Sequence, residues 1–542
     1  MRHTCHSVRL LAASAVLAIS AGMASAQVLT IGLSSEPTSA DPHYHNLGPN
    51  NALARHIFTP LVTQDAQQRL HPGLATEWET IDETTWRIIL REGVTFSNGE
   101  PFTARDVIYT VCRIPHVPDA PSPFTLYTRS ISGMTAEGDH TLIISTDGPA
   151  PLLPTFLSTF GILSASVSGG GDEIVFNPDV EEQCEGLGEP PVSAAFNSPD
   201  FAIGAGPYTL ASFIRGEEIR LQRNDNYWGD APEWETLVLR TLSNQGARVA
   251  ALLAGDVDMI ENPPTQDLDR IEAGNFAVSS GLSNRVIYIA LDQGEAPSPS
   301  IAGVPDGVNP LEDARVREAL SIAIARTAIR DRLMRGLSEP AGQLLPWPMF
   351  GTEEDRGPIP FDPDRARELL TEAGYPDGFQ ITLGTPNDRY INDGQISQAV
   401  AQMWSRVGVR TEVDAKTFSA FISDRNAFNF SAFLAGWGAA TGETGSPLGA
   451  LVATRDPARS LGGTNFTRHS NPEADELLVT AMRTVDDAER ERLLQQSSAL
   501  ILDSHGIIPI HFELTTWALR DGLEYEARAD QYTLGYMVSS TD

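Results

Sequence analysis

The stretch TTWRIILREGVTFSNGEPFTARDVIYT, residues 84–110, puts a strand, a turn and a helix start side by side. Trp86, Ile88 and Leu90 alternate with Arg87, Ile89 and Arg91, the spacing of a strand with one face nearly all apolar. Asn98-Gly99 is a tight-turn dipeptide, and Thr103 with Asp106 makes a capping box that opens a helix.

The same punctuation continues downstream. GAGPYTLASFIRGEEIRLQRNDNYWGDAPEWETLVLRTL (204–242) predicts a glycine turn and a β-meander, and ARVAALLAGDVDMI (247–260) a helix, a Gly-Asp stop and a short strand. LEDARVREALSIAIARTAIRDRLMRG (311–336) has Asp313 as cap, Val316, Leu320, Ala323 and Ile324 on one face, and Gly336 as stop. FDPDRARELLTEAG (361–374) repeats the design with Asp362, Pro363 and Gly374. A strand in GFQITLGTP, a helix over about 394–407 and a strand in VGVRTEVDAK follow, and such alternation argues for an α/β lobe. Residues 115–124 are proline-rich, and 166–199, rich in Gly, Pro and acid, read as a surface insertion carrying Cys184. There is no internal repeat.

The first residues speak to compartment. Arg2, His3, His6 and Arg9 precede an apolar run from Leu10 to Met23, and Ala24-Ser25-Ala26 supplies a small-x-small cleavage pattern. This predicts a secretory signal peptide over 1–26, cut before Gln27. The run falls short of the ~20 residues of a spanning helix, so no direct membrane anchor is expected. What remains is too long for one hydrophobic core, which calls for two or more lobes. Acids outnumber bases 71 to 38, giving a net charge of −33, a field that repels nucleic acid and anionic lipid. Cys112 and Cys184 remain after cleavage, and an oxidising compartment makes them a disulfide candidate.

Catalytic motifs are missing. The chain has no GxSxG, HExxH or GxGxxG, and its single lysine, Lys416, follows no phosphate-cradling glycine loop. Acid pairs such as Glu353-Glu354 and Asp486-Asp487 sit in polar, turn-like contexts that read as solvated faces. His43 and His45 flank Tyr44 at a spacing that suits a metal, but no third ligand follows. The reading is of a protein that is not an enzyme and needs no cofactor or metal.

Seven blocks carry a resemblance. LATEWETIDETTWRIILREGVTFSNGEPFTARDVIYT, GAGPYTL, RNDNYWGDAP, LLAGDVDM, DARVREALSIAIAR, FDPDRARELLTEAGYPDGF and QMWSRVGV occur in the order found in the extracytoplasmic solute-binding proteins, family 5, the oligopeptide/dipeptide/nickel type. The resemblance covers essentially the whole mature chain. It implies a two-lobed α/β periplasmic-binding-protein fold of cluster C type, with an extra subdomain in the first lobe and a two-segment hinge. By analogy, 27–65, 201–285 and 512–542 form the core of lobe I, 66–200 its extra subdomain, and 286–511 lobe II. The crossings fall near Ser283–Asp292 and Ile507–Phe512. The implied role is the periplasmic binding component of an ABC importer, a monomer that closes on a peptide or peptide-like solute and delivers it to membrane permease subunits. Opines, glycosides, glutathione-like compounds and metal chelates are the alternative ligands, and an exported enzyme is the reading from another class.

The resemblance also points to site residues. Trp437, between Gly436 and Gly438 in GWGAATGET, falls where relatives place a tryptophan-bearing cleft loop. Peptide-binding relatives have an aspartate three residues later that pairs with the peptide's amino terminus. Here that position is Ala440, and Glu443 replaces the acid only if the loop curves back. Arg389 and Tyr390 precede a lobe II helix and offer a bidentate anion clamp and a ring with a hydroxyl. Tyr44, His45 and Asn46 follow the first strand at a point facing the cleft in relatives. Trp347 is expected to pack between the lobes.

Overall fold

Two long strands, Ala277–Leu291 and Ile508–Leu519, run antiparallel through the middle of the molecule. The computed structural model describes residues 27–541 apart from 170–172, 179, 181–183 and 295–296, so the expected signal peptide lies outside the described residues. The ladder between the two strands runs from Ala277 opposite Leu519 to Leu282 opposite Leu514, breaks, and resumes at Val286 opposite Phe512. Ser283, Asn284 and Arg285 occupy the break.

On one side of the break the pair belongs to the first lobe. Met259–Glu261 bonds to residues 517–519, and Val28–Leu33, Thr236–Thr241, Glu218–Arg223 and Tyr208–Ile214 extend the sheet outward. On the other side Ala432–Gly438 bonds to residues 285–291, followed by Gln380–Pro386 and the edge strand Ile301–Ala302. Ser338–Pro340 joins residues 511–513, and Arg410–Lys416 lies parallel to Gln380–Pro386. One hydrogen-bonded sheet of twelve strands thus passes through both lobes.

Side-chain alternation explains why each half is covered on both faces. Ile287, Ile289 and Leu291 enter one core of the second lobe, whereas Val286, Tyr288 and Ala290 enter the other. Helices Ala314–Ile322, Pro363–Glu372 and Asp393–Arg406 cover the first face, and Pro472–Ala481 and Asp487–Asp503 the second. In the first lobe Trp517 and Leu519 point into the large core and Ala518 into a smaller one with Val249 and Leu252.

The opening stretch folds as its pattern predicts. Thr85–Leu90 buries Trp86, Ile88 and Leu90 and lies between Ala75–Asp82 and Thr141–Thr146 in a separate four-stranded sheet. Gly99 takes φ +87°, and the Thr103–Asp106 capping box starts helix Ala104–Arg113. Cys112 of that helix is disulfide-bonded to Cys184, with Cα atoms 6.0 Å apart.

Two expectations need correction. The helix expected over 311–336 is broken into Ala314–Ile322 and Arg326–Arg332. The buried Arg326 guanidinium takes the carbonyls of Ser321, Ile324 and Pro509 as acceptors, so the helix ladder is interrupted where a charge is satisfied instead. Trp347 is 53% exposed rather than packed between the lobes.

Candidate functional site

The crossing of the two long strands leaves a cavity of about 440 Å³ between the lobes. The loop 262–266 and Gln245 wall it from the first lobe, and Leu337 with residues 388–392 from the second. Ser283 and Arg285 of one strand and residues 513–516 of the other form its floor, and Gln531 also borders it.

Charge is concentrated on that floor. Arg285 and Glu513 come one from each crossing strand, Nε to Oε2 at 3.4 Å, and the Ile391 N–H donates to Glu513 Oε1 at 3.2 Å. Burial pushes the Glu513 carboxyl up from its ordinary range, and the Arg285 guanidinium works against that shift. On the wall, Arg389 lies over the rings of Tyr390 and Phe418, each 5.4 Å from the guanidinium carbon. It makes no ion pair among the described residues. The Tyr390 hydroxyl donates to the Gly436 carbonyl at 3.2 Å. A Cβ at position 436 would lie 2.8 Å from the Tyr390 ring, so glycine there is what admits the tyrosine against the strand.

The structure therefore brings Arg389 and Tyr390 to the cavity, together with Arg285. The other sequence-derived candidates lie elsewhere. Trp437 stands opposite Val286, and alternation turns it to the sheet face away from Arg285. It is half-buried against Leu345, Met349, Ala439 and Ala529, and its indole N–H donates to Ser446 Oγ at 3.2 Å. Gly438 stands opposite Arg285. Ala440 is exposed, and its carbonyl accepts from Gln68 Nε2 at 3.0 Å. Gln68 in turn accepts from Asn284 Nδ2 at 3.0 Å, and that amide also donates to the Ala439 carbonyl. A turn of the first lobe, with Gln68 at φ +62°, is thereby fastened to the loop after Trp437.

Tyr44, His45 and Asn46 form their own polar cluster in the first lobe, outside the cavity lining. His45 Nδ1 is 3.1 Å from Thr38 Oγ1, Tyr44 meets the His45 ring edge-on, and Asn46 donates to the Tyr127 hydroxyl at 2.9 Å. His43 is buried, its Nδ1 3.0 Å from Arg113 Nη1 and its Nε2 2.9 Å from the Gly161 carbonyl. Burial and the Arg113 charge push it down to about 4, the state of a packed neutral ring. No three His, Cys, Asp or Glu side chains among the described residues gather as a metal site would require.

Glu443 does not supply the acid missing at Ala440. It is buried in the second lobe and ion-paired with Arg490, whose guanidinium also bonds Asp487 and lies 4.1 Å over the Phe350 ring. Burial raises its carboxyl while Arg490 opposes the shift.

Sequence reasoning missed Glu513, Gln68 and the loop 262–266. A signal for Glu513 was available, since it is the only charged residue inside the strand IPIHFELTTWAL. Nothing local marks Gln68, whose position depends on the packing of one lobe on the other.

Comparison with known proteins gives consistent results. The sequence profile described as bacterial extracellular solute-binding proteins, family 5 middle, matches residues 69–458. Glutathione-binding protein GsiB of Escherichia coli and that of Shigella flexneri are each 26% identical over 525 residues, covering 95% of this chain and 94% of theirs. HbpA2 from Haemophilus parasuis has a TM-score of 0.79 at 21% identity, covering 95% of this chain and 100% of its own. The unliganded open form of the periplasmic murein tripeptide binding protein MppA has a TM-score of 0.76 at 23% identity, covering 95% and 98%. DppA from Helicobacter pylori in complex with the peptide STSA has a TM-score of 0.69 at 19% identity, covering 95% and 98%. These structures share the two-lobed mixed α/β fold.

Proposed function

This chain belongs to the bacterial extracellular solute-binding proteins of family 5, and from that premise we propose that it is the periplasmic binding component of an ABC importer for a peptide or peptide-like solute. The observation that carries the reading is the cavity of about 440 Å³ lined from both lobes and from both strands that join them. A solute there is desolvated on two sides only when the lobes come together, so its binding favours the closed arrangement. A membrane permease then distinguishes loaded from empty protein by the lobe geometry. In this reading the protein works as an exported monomer, with lobe I made of 27–65, 201–285 and 512–542, an extra subdomain over 66–200, and lobe II over 286–511.

Arg389 is the anchor for a solute carboxylate, because its guanidinium borders the cavity without an acid partner of its own. Tyr390 supplies the adjoining ring. Trp437, Gly438 and Ala440 form a second contact region at the lobe boundary, and Tyr44, His45 and Asn46 a third on the first lobe. The glutathione-binding and murein tripeptide-binding relatives support a short peptide or a glutathione-like compound. Non-peptide solutes stay in play as well: one structural relative is bound to agropinic acid and another to a nickel–histidine complex.

The test is calorimetric titration of the purified protein with reduced glutathione, alanine di- and tripeptides, an opine and nickel–histidine. Mass spectrometry of any solute carried through purification complements it. Saturable binding of a peptide-like compound supports the reading. No binding to any solute, together with turnover of a substrate, refutes it.

A further inference from the structure

Four charged side chains border the cavity: Arg285, Asp388, Arg389 and Glu513. They are not equally engaged. Asp388 Oδ1 accepts the Phe418 N–H at 2.7 Å. Glu513 is 8% exposed, yet among the described residues its carboxylate is held only by one backbone N–H at 3.2 Å and by the Arg285 guanidinium at 3.4 Å. A carboxylate offers about four acceptor positions, and a well-formed N–H···O⁻ bond to arginine is about 2.7–2.9 Å long.

Buried acids elsewhere in the chain show what full satisfaction looks like. Asp41 is held by both terminal nitrogens of Arg113 and by the His43 N–H. Asp292 takes Arg468 on both oxygens, the Ser298 hydroxyl and the Gly294 N–H. Leaving a buried carboxylate half satisfied is costly unless something else completes it. Glu513 has its spare acceptor capacity beside a cavity large enough for a solute.

We propose that Glu513 determines specificity by accepting a positively charged nitrogen of the solute, so that the solutes taken carry an ammonium as well as an acid. This inference deepens the solute reading above and rests on it. An ammonium seated on Glu513 touches the strand Ile508–Leu519 and approaches, through Glu513, both Arg285 of the other crossing strand and the loop holding Arg389. Ammonium and carboxylate then address the floor and the second-lobe wall of one cavity.

The experiment compares trialanine and reduced glutathione with their N-acetylated forms, by calorimetry, on the wild-type protein and on Glu513→Gln. The wild type is expected to bind the free-amine forms on the order of tenfold or more tighter than the acetylated ones. In Glu513→Gln that preference is expected to collapse, while affinity for the acetylated forms stays within a few-fold. Equal wild-type affinity for free and acetylated probes overturns the inference without any variant having to fold. A preference that survives in Glu513→Gln also overturns it. Absence of binding to all four probes instead withdraws the peptide-like reading, and this inference falls with it.

Discussion

Gln68 of the first lobe donates its side-chain amide to the Ala440 carbonyl of the second at 3.0 Å. The bond comes from a turn residue held at φ +62°, and the same side chain accepts from Asn284 at the strand break. It is a fastening between lobes placed beside the break in the strand pair that joins them.

Gln68→Ala removes both contacts, the bond to the Ala440 carbonyl and the bond from the Asn284 amide. The expected cost is about 1–2 kcal/mol in urea unfolding. Amide exchange over residues 439–444 should quicken at the same time. Unchanged exchange there would mean that the contact does not hold in solution.

Arg389→Ala tests the carboxylate anchor. Its guanidinium packs on two rings at the surface of the cavity, so the variant should melt within about a degree or two of the wild type. Affinity for a carboxylate-bearing solute should fall on the order of 10- to 100-fold. Amidated solutes should lose far less, and an equal loss for both would assign Arg389 a packing role.

Glu443 and Arg490 are each less than a tenth exposed. Glu443→Ala leaves the buried arginine with Asp487 as its remaining acid partner and should destabilise the protein by about 2–3 kcal/mol, as read from chemical denaturation. Solute affinity measured well below the melting temperature should not change, because the pair lies apart from the cavity.

Acid should destabilise the fold through its buried histidines. His43 and His56 are pushed down to about 4 and His511 to about 3, in each case first by burial. Their unfolded value is near 6.5, so below that pH the unfolded chain binds protons that the folded chain refuses. Stability is therefore complete above about pH 6.5 and falls as pH drops toward 4, by up to about 1.4 kcal/mol per pH unit for each histidine. Denaturation midpoints at pH 7.5, 6 and 5 measure this. His511→Phe, which removes two unpartnered ring nitrogens, should flatten the slope.

Reduction of the Cys112–Cys184 bond opens a cross-link spanning 72 residues. The expected loss is about 2–5 kcal/mol for the subdomain that it ties. Melting with and without reductant, against a Cys112→Ala/Cys184→Ala variant that does not respond, gives the check.

Local physics made much of the fold legible. Period-two alternation placed Thr85–Leu90, and the Asp362, Pro363 and Gly374 signals bounded Pro363–Glu372, with Gly374 at φ +94°. The helix break at residues 323–325 was not legible, because the carbonyls that Arg326 captures include Pro509, far away in sequence. The site divides in the same way. Arg389 and Tyr390 sit in a polar loop whose chemistry reads directly, whereas Glu443 looks free in sequence and is committed to Arg490 in space. The family resemblance makes Trp437 a cleft residue. Which side of the sheet it takes follows from pairing with Val286, and that pairing is tertiary information.

The strand at the centre of the shared sheet, Ile508–Leu519, is also the last in chain order of the twelve strands in that sheet. Until residue 519 has left the ribosome, Met259–Glu261 has no partner on that edge and Ala277–Leu291 lacks its longest neighbour. Neither lobe can complete its share of the sheet before residues 508–519 are in place, so the two lobes depend on one shared segment.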